Sequence, residues 1–314
     1  REKCAGVSQI TAKANLIFHL RRMRFFVSWY HGDPIYSMVD KNCDLLLSVL
    51  NAPKNWTVDK YYPKPRTVMI DSGLFKYMDR ENLASSQKEA FETQVRLLGD
   101  YRPAILCHLD FPIPTRTNLT MREKQRRVEV TVKNATQFYK LFNNTFGNQN
   151  DLMPLAVIQG WDAQSIHSCA SSLQAIGFDL FGIGSISRLS WLNRIEVTRR
   201  VMGLPQNIRH LHVFGVSSVL LMKKLSRLPH LSSIDSSTPI KEAIYSGIIY
   251  SNPFRRYKIA TPHFQMWIRR YGGYGKGVLA KALDCECPVC VTFGKRFLLE
   301  RGRKIYNNLR ALHN

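Results

Sequence analysis

TVMIDSGLF, residues 67–75, is a short apolar run rich in β-branched and bulky residues, ended by an acid and then a serine and a glycine. Residues 67–70 read as a strand and Asp71–Ser72–Gly73 as the turn that leaves it. A helical stretch follows at 87–98, QKEAFETQVRLL, with apolar residues at three- and four-residue spacing. The same order of apolar run, polar or glycine end and helix-like segment recurs along the chain. Further runs stand at 24–29, 44–50, 104–109, 155–158, 178–183, 210–214 and 230–234, and 128–142 is a second clear helical segment. Strands alternating with helices build βαβ units and a parallel sheet. Eight such strands predict an α/β protein with an irregular (β/α)8 TIM barrel. An open doubly wound sheet is the alternative, and no GxGxxG follows the first strand to support a dinucleotide site.

Polar residues stand at the ends of these runs. Asp71 ends the third, Asp110 the fourth (CHLDFPIP), Gln159 and Gly160 the fifth (VIQGW) and Gly184 and Ser185 the sixth (FGIGSIS). Gly215 ends the seventh (HVFGV) and Asp235 the eighth (SSIDSSTP). In a barrel all of them converge on one mouth. Three aspartates there can divide the work of a nucleophile, a proton carrier and an acceptor for a substrate N–H. The plainer reading is that each Asp caps a helix or forms a turn, and that the glycines serve tight βα loops.

Near the C-terminus Cys285, Cys287 and Cys290 fall within six residues, and His313 follows on a predicted helix. Three thiolates and an imidazole make a closed tetrahedral zinc shell with no open position, so the expected Zn2+ is structural. The alternative is ordinary buried cysteines. The other cysteines, Cys4, Cys43, Cys107 and Cys169, follow no disulfide framework, which favours a reducing cytoplasm. The Gly-rich segment 271–277 (YGGYGKG) marks the entry to the metal site. The expected organisation is a barrel core over 1–250 and a zinc-binding subdomain with a closing helix over 251–314.

The net charge of +22 and a pI near 9.9 call for a polyanionic partner, most simply nucleic acid. A membrane surface is the rival, but no long basic amphipathic helix is present to carry it. No run of about 18 apolar residues predicts a membrane span, and Arg21, Arg22 and Arg24 interrupt the N-terminal stretch, which does not read as a signal peptide. Arg and Lys stand beside aromatics at 254–258 (FRRYK), 267–276 (WIRRYGGYGK), 122–127 and 295–304. Arg255, Arg256, Lys258, Arg269, Arg270 and Lys276 are the candidates for a phosphate track, with a solvated helix face as the plain alternative for any one cluster. The chain opens at Arg1 without Met and stops one residue after His313, which reads as a trimmed piece of a longer protein.

These residues, in this order, resemble the guanine transglycosylase superfamily, whose best-known members are the tRNA-guanine transglycosylases. The resemblance covers most of the chain, and its most specific element is the Cys-x-Cys-x-x-Cys…His site after a barrel. It implies an irregular (β/α)8 barrel with a zinc subdomain, and a base exchange in which guanine leaves a nucleotide and a 7-deazaguanine takes its place. Asp235 then matches the nucleophile that attacks the sugar C1′ and holds a covalent glycosyl-enzyme. Asp71 matches the general acid/base, Phe75 the aromatic that stacks on the base, and Asp110 the reader of the guanine-type edge. Gln159, Gly184 and Gly215 match positions that line the base pocket, and Cys285, Cys287, Cys290 and His313 match the zinc ligands.

The chain departs from the tRNA enzymes around these residues. Their doubled glycine becomes Gly73–Leu74, their Asp-Glu-Cys becomes Asp110–Phe111–Pro112, and their paired glycines become Gly184–Ser185. Their arginine-bearing segment after the nucleophile becomes Ser236–Ser237–Thr238–Pro239. Kept aspartates among altered neighbours resemble the divergent branch that inserts 7-deazaguanines such as preQ0 into DNA, in bacterial modification clusters and phages. The implied partners are DNA, with tRNA as the alternative, a free 7-deazaguanine base and proteins of a DNA-modification system. The setting is the cytoplasm of a bacterial cell or phage-infected host. Relatives dimerise, and a homodimer is a candidate assembly with no interface signature in the sequence. A catalytically inactive nucleic-acid-binding homologue and a nucleosidase using water as acceptor are the competing functions.

Overall fold

The computed structural model describes residues 23–30, 33, 35–50, 53–73, 85–114, 119–147, 149–185, 191–204, 208, 210–216, 219–229, 231–243, 248–251, 255–258 and 288–293. The chain divides into two compact units, Arg1–His31 with Asn42–Ser236 and Gly32–Lys41 with Ser237–Asn314.

The first unit is a closed barrel of eight parallel strands in sequence order. They are β1 (Arg24–Trp29), β2 (Asp44–Ser48), β3 (Thr67–Asp71), β4 (Ala104–Cys107), β5 (Leu152–Ile158), β6 (Leu180–Ile183), β7 (His210–Val213) and β8 (Leu231–Ser236). β8 pairs with β1 in the register Phe26↔Asp235 and Val27↔Ser236, which closes the sheet and rules out the open doubly wound alternative. Between the later strands run α1 (Gln87–Leu98), α2 (Met121–Phe146), α3 (Ala163–Ile176), α4 (Trp191–Met202) and α5 (Val219–Leu225). The β2–β3 connection carries a 3-10 turn, Val58–Lys60, among its described residues, so the barrel is irregular at its start.

Because strand side chains alternate, every second residue faces the barrel interior. Phe26, Leu46, Met69, Ile105, Cys107, Met153, Leu155, Val157 and Leu180 form that core, with Phe214 packed on it. The same period places Ser28, Asp71 and Gln159 inward, one step beyond Phe26, Met69 and Val157, towards the C-terminal mouth.

The opposite, N-terminal end is closed by charge. Arg24, Asp44 and Thr67 each begin a strand. Arg24 Nε donates to Asp44 Oδ2 at 2.8 Å, and the same guanidinium donates to Thr67 Oγ1 at 2.6 Å. Arg66 Nε donates to Asp44 Oδ1 at 3.0 Å, while Asp44 is only 1% exposed. Without Arg24 the buried Asp44 keeps only the half-exposed Arg66, so its charge is compensated in part alone. Arg24→Met is therefore expected to lower unfolding stability by about 3 kcal/mol, read from the urea midpoint. Because Arg24 lies at the N-terminal end of the barrel, the arrangement of residues at the C-terminal mouth of the folded variant is expected to be unchanged.

Helix ends follow their local sequence. Ser86 and Glu89 form a reciprocal capping box at α1, as Asp162 and Ser165 do at α3. Thr120 caps α2, and Glu123 in its first turn binds both Arg126 (2.7 Å) and Arg127 (2.8 Å). Of the basic cluster at 122–127, Arg127 is therefore no solvated face. Arg127 is 1% exposed, lies over the Phe111 ring, and donates to the Pro112 carbonyl at 2.6 Å.

In the second unit β9 (Ile248–Ser251) pairs antiparallel with β10 (Arg255–Lys258), and α6 (Thr238–Lys241) and α7 (Pro288–Phe293) are short helices. Among the described residues no helix is long and apolar enough to cross a membrane.

Candidate active site

The polar strand-end residues gather at the C-terminal mouth of the barrel. Asp71 is the last residue of β3, Asp110 stands three residues past β4, and Asp235 is the fifth residue of β8. Gln159–Gly160, Gly184–Ser185 and Gly215 follow β5, β6 and β7.

Asp110 sits on a loop whose backbone is pinned from several sides. Leu109 N–H donates to Gln87 Oε1 at 2.7 Å, and Asn134 Nδ2 donates to the Leu109 carbonyl at 2.9 Å. Phe111 N–H donates to Thr131 Oγ1 at 2.9 Å. Ile113 N–H is shared between Ser185 Oγ at 3.0 Å and Gln159 Oε1 at 3.4 Å. With its carbonyl turned to Ile113, the Gln159 amide must turn its Nε2 towards Asp110 Oδ2, which it meets at 2.6 Å. Ser72 Oγ approaches Asp110 Oδ1 at 3.4 Å. Gly184 is required here, since a Cβ on it would come within 2.3 Å of Gln159 Nε2. Ser185 keeps φ near 59°, a left-handed conformation that costs a non-glycine residue strain and marks functional loops. Gly160 faces the other way, with a Cβ direction that runs into Ile166 of α3 at 2.7 Å. A cavity of about 360 Å³ lies against Gly160, Gly184 and Ser185, with Lys124, Trp161 and Arg200 among its other walls.

Asp235 is held more tightly. Gly215 N–H donates to its Oδ1 at 2.8 Å, and His212 Nε2 lies 3.3 Å from the same oxygen. Ser28 Oγ donates to Oδ2 at 3.0 Å. Gly215 has φ 68°, so the turn that aims its N–H is one glycine adopts freely.

The electrostatics of the mouth separate the acids. Burial, together with the charge of Asp110, pushes Asp71 up to about 7, against hydrogen bonds from the Gly73 and Ser72 backbone that pull it down. Burial pushes Asp110 to about 6, opposed first by the Gln159 amide. Beneath them burial and the nearby Asp71 carboxylate push the Cys107 thiol well above its usual range, so it is no nucleophile. Burial drives His108 down to about 3, and its ring lies against Phe138 and Phe178 as a neutral core group. The mouth therefore offers a carboxylate wrapped in donors, a carboxyl that changes proton near neutrality, and an acid–amide pair. That set can bind a polar ring, move a proton to or from it, and attack an electrophilic carbon.

Sequence reasoning missed Ser28, His212, Ser72 and Ser233. Its available signal was polar residues inside apolar strands, SW at 28–29 and HLH at 210–212, in register with buried neighbours. Of the other candidates, Arg255, Arg256 and Lys258 lie on β10, and Cys290 lies buried on α7. Phe75, Arg269, Arg270, Lys276, Cys285, Cys287 and His313 lie outside the described residues. Among the described residues no group of three or more His, Cys, Asp or Glu is placed to hold a metal ion.

No family model matches the chain. It is similar to the tRNA-guanine(15) transglycosylase of Aeropyrum pernix, 27% identical over 256 residues. The match takes in 80% of this chain and 44% of that protein, so the chain spans under half the length of the curated relative it matches.

Proposed function

We propose that this chain is a guanine transglycosylase, an enzyme that exchanges a guanine of DNA for a 7-deazaguanine of the preQ0 kind through a covalent link to Asp235. The observation that carries the reading is the arrangement of Asp235, anchored by three donors, in one barrel mouth with Asp71 and the Asp110–Gln159 pair. The similarity to a tRNA-guanine(15) transglycosylase supports a distant tie to the guanine transglycosylase superfamily.

In this mechanism Asp110 and Gln159 read the polar edge of the target base, joined by Gly184, Ser185 and Gly160 as walls of its pocket, and Phe75 keeps the base-stacking role that the resemblance implies. Asp235 attacks C1′ as the bond to guanine breaks, and Asp71 gives the departing base its proton. The carboxylate and the sugar then form an ester-like glycosyl-enzyme, as in retaining glycosidases. A 7-deazaguanine enters, Asp71 takes its proton, and the second displacement restores the free carboxylate with net retention. Water must be kept out while the intermediate waits. The target base must leave its stack, which costs a few kcal/mol and needs firm backbone contacts. Arg255, Arg256, Lys258, Arg269, Arg270 and Lys276 supply part of them, with the excess of positive charge behind them.

DNA is favoured over tRNA by the residues around the aspartates. Phe111 and Pro112 are parts of a packed loop, held by Thr131 and Arg127. The tRNA reading is favoured by the similarity to the Aeropyrum pernix tRNA-guanine(15) transglycosylase. Incubation with labelled guanine or 7-deazaguanine and either duplex DNA or tRNA separates them. Label entering DNA is the expected result. Label entering tRNA alone moves the chain to the tRNA branch, and guanine released without incorporation makes it a nucleosidase.

Cys285, Cys287, Cys290 and His313 hold a structural Zn2+ in this reading, the donor set suiting a closed tetrahedral shell. Metal binding of this kind contributes folding energy directly. Cys287→Ala is expected to lose zinc from one equivalent per chain and to lower the melting temperature. A variant with normal zinc stoichiometry would refute the ligand set.

A further inference from the structure

We propose that His212 is a positioning residue for Asp235, one that ties down a single oxygen of that carboxylate and leaves the other to attack. The inference rests on the reading of Asp235 as the nucleophile. Oδ1 takes the Gly215 N–H at 2.8 Å and His212 Nε2 at 3.3 Å. Oδ2 takes the Ser28 hydroxyl at 3.0 Å. These donors differ in kind. The amide belongs to a turn whose next residue, Val216, donates its N–H to the Asp235 carbonyl at 2.9 Å. The imidazole is fully buried, edge-on to Phe26 on β1 and to Phe214 beyond β7. Phe214 reaches it because Gly182 leaves the space, where a Cβ would come within 2.5 Å of that ring. Neither donor can turn away, whereas a serine hydroxyl rotates about one bond. Oδ2 is therefore the oxygen that gives up its hydrogen bond when C1′ arrives.

The ring's tautomer follows from its neighbours. A bare nitrogen lone pair facing a carboxylate anion would repel it, so Nε2 must carry the hydrogen. Ser233 Oγ lies 2.8 Å from Nδ1. A serine hydroxyl can donate to Nδ1 of a neutral ring or accept from Nδ1–H of a cationic one. In both states Nε2–H donates to Oδ1. Asp235 on β8 is the charged group in contact with the ring, and Phe26 and Phe214 face it from the other elements.

The two chemical steps use this donor unequally. In the first, Oδ2 bonds to C1′, the C1′–N bond breaks with its electron pair leaving on the base, and Oδ1 becomes an ester carbonyl. In the second, the C1′–Oδ2 bond breaks and its pair returns to the carboxylate, whose charge redevelops on both oxygens. Fixed donors aimed at developing charge are worth most in that return step. His212 therefore speeds breakdown of the intermediate more than its formation.

The test compares His212→Phe, which keeps a ring and removes the donor, with His212→Gln, whose amide nitrogen sits at the same depth. His212→Phe is expected to lower kcat by about 10²-fold, the scale of one lost fixed donor. kcat/KM for the nucleic acid, which reports adduct formation, should stay nearly unchanged, so KM falls along with kcat, and the fraction of enzyme trapped as denaturant-stable adduct should rise. His212→Gln should recover most of the rate. Wild-type kcat and adduct level in His212→Phe would overturn the proposal, as would equal loss in both variants. Asp235→Ala run alongside keeps the two ideas apart, because exchange surviving there sinks the nucleophile reading itself. Should His212→Phe fail to fold, 15N NMR of the wild-type imidazole decides: Nε2 protonated is expected, and a neutral ring protonated at Nδ1 alone overturns the proposal.

Discussion

Asp235→Ala is expected to abolish base exchange, with a loss of about 10⁴-fold or more, the scale on which removing a covalent nucleophile acts. The chemistry sets that size. Breaking a glycosidic bond passes through an oxocarbenium-like state, and a carboxylate on the far face both stabilises it and traps it. Without that trap the departing guanine and the incoming base would have to meet the same cation at once. Asp71 and Asp110 are no ready substitutes, because burial weakens both as anions and each is fixed at its own strand end, Asp71 on β3 and Asp110 past β4. The measurement is a denaturing gel of wild type and variant, each mixed separately with DNA and with tRNA. Wild type should give a denaturant-stable adduct with DNA, and the variant none. Asp235 is buried, and its loss leaves the Gly215 N–H, the Ser28 hydroxyl and His212 facing a space that water can enter. The variant should therefore stay folded, and a thermal melt run in parallel separates lost chemistry from lost structure. Exchange retained in a folded variant would end the nucleophile assignment.

The barrel was legible because each strand is buried on both faces, which makes short continuous apolar runs that end in polar turns. The run at 155–158 belongs to a longer strand that starts at Leu152. Pro154, which lacks an N–H and reads as a strand breaker, sits inside it opposite Leu106. The helix at 128–142 extends to Met121–Phe146, since Thr120 caps it and Glu123 neutralises the two arginines that follow. Composition alone read that turn as part of a basic cluster, because an ion pair inside a cluster is invisible until the helix brings i and i+4 together. The three aspartates were legible from their register at strand ends. Their supports were not. Ser28 reaches Asp235 only because β8 closes on β1, a contact between residues 207 positions apart. His212 reads in sequence as one of two histidines flanking Leu211, and only the parallel pairing of β7 with β8 sets it beside Ser233 and Asp235. The Gln159 amide likewise gains its direction from Ile113, on a loop fixed by other helices.

Asp71→Asn is expected to lose about 10²- to 10⁴-fold in rate, the range of a positioned general acid or base, and to gain stability at alkaline pH. Both effects follow from one shift. Burial and the charge of Asp110 raise Asp71 from an ordinary 3.8 to about 7. A carboxyl with that value is still largely protonated at pH 6, so it can protonate a departing base, and its conjugate base is strong enough to take a proton from the next one. The rate of adduct formation in wild type should therefore fall as pH rises through about 7, and the variant should lack that limb. The folded state holds the Asp71 proton more tightly than the unfolded chain does, so its favourable contribution is fully present below about 3.8 and is lost as pH rises through about 7. Above that pH wild type buries a carboxylate anion near Asp110 and Asp235, whereas asparagine stays neutral. The melting temperature of Asp71→Asn relative to wild type should climb between about pH 4 and pH 7, the window between the unfolded and folded values, as the linkage relation requires. A constant difference across that window, or an adduct rate in wild type that is flat through pH 7, would remove Asp71 from the proton-transfer role and leave it as a turn-forming residue at the end of β3.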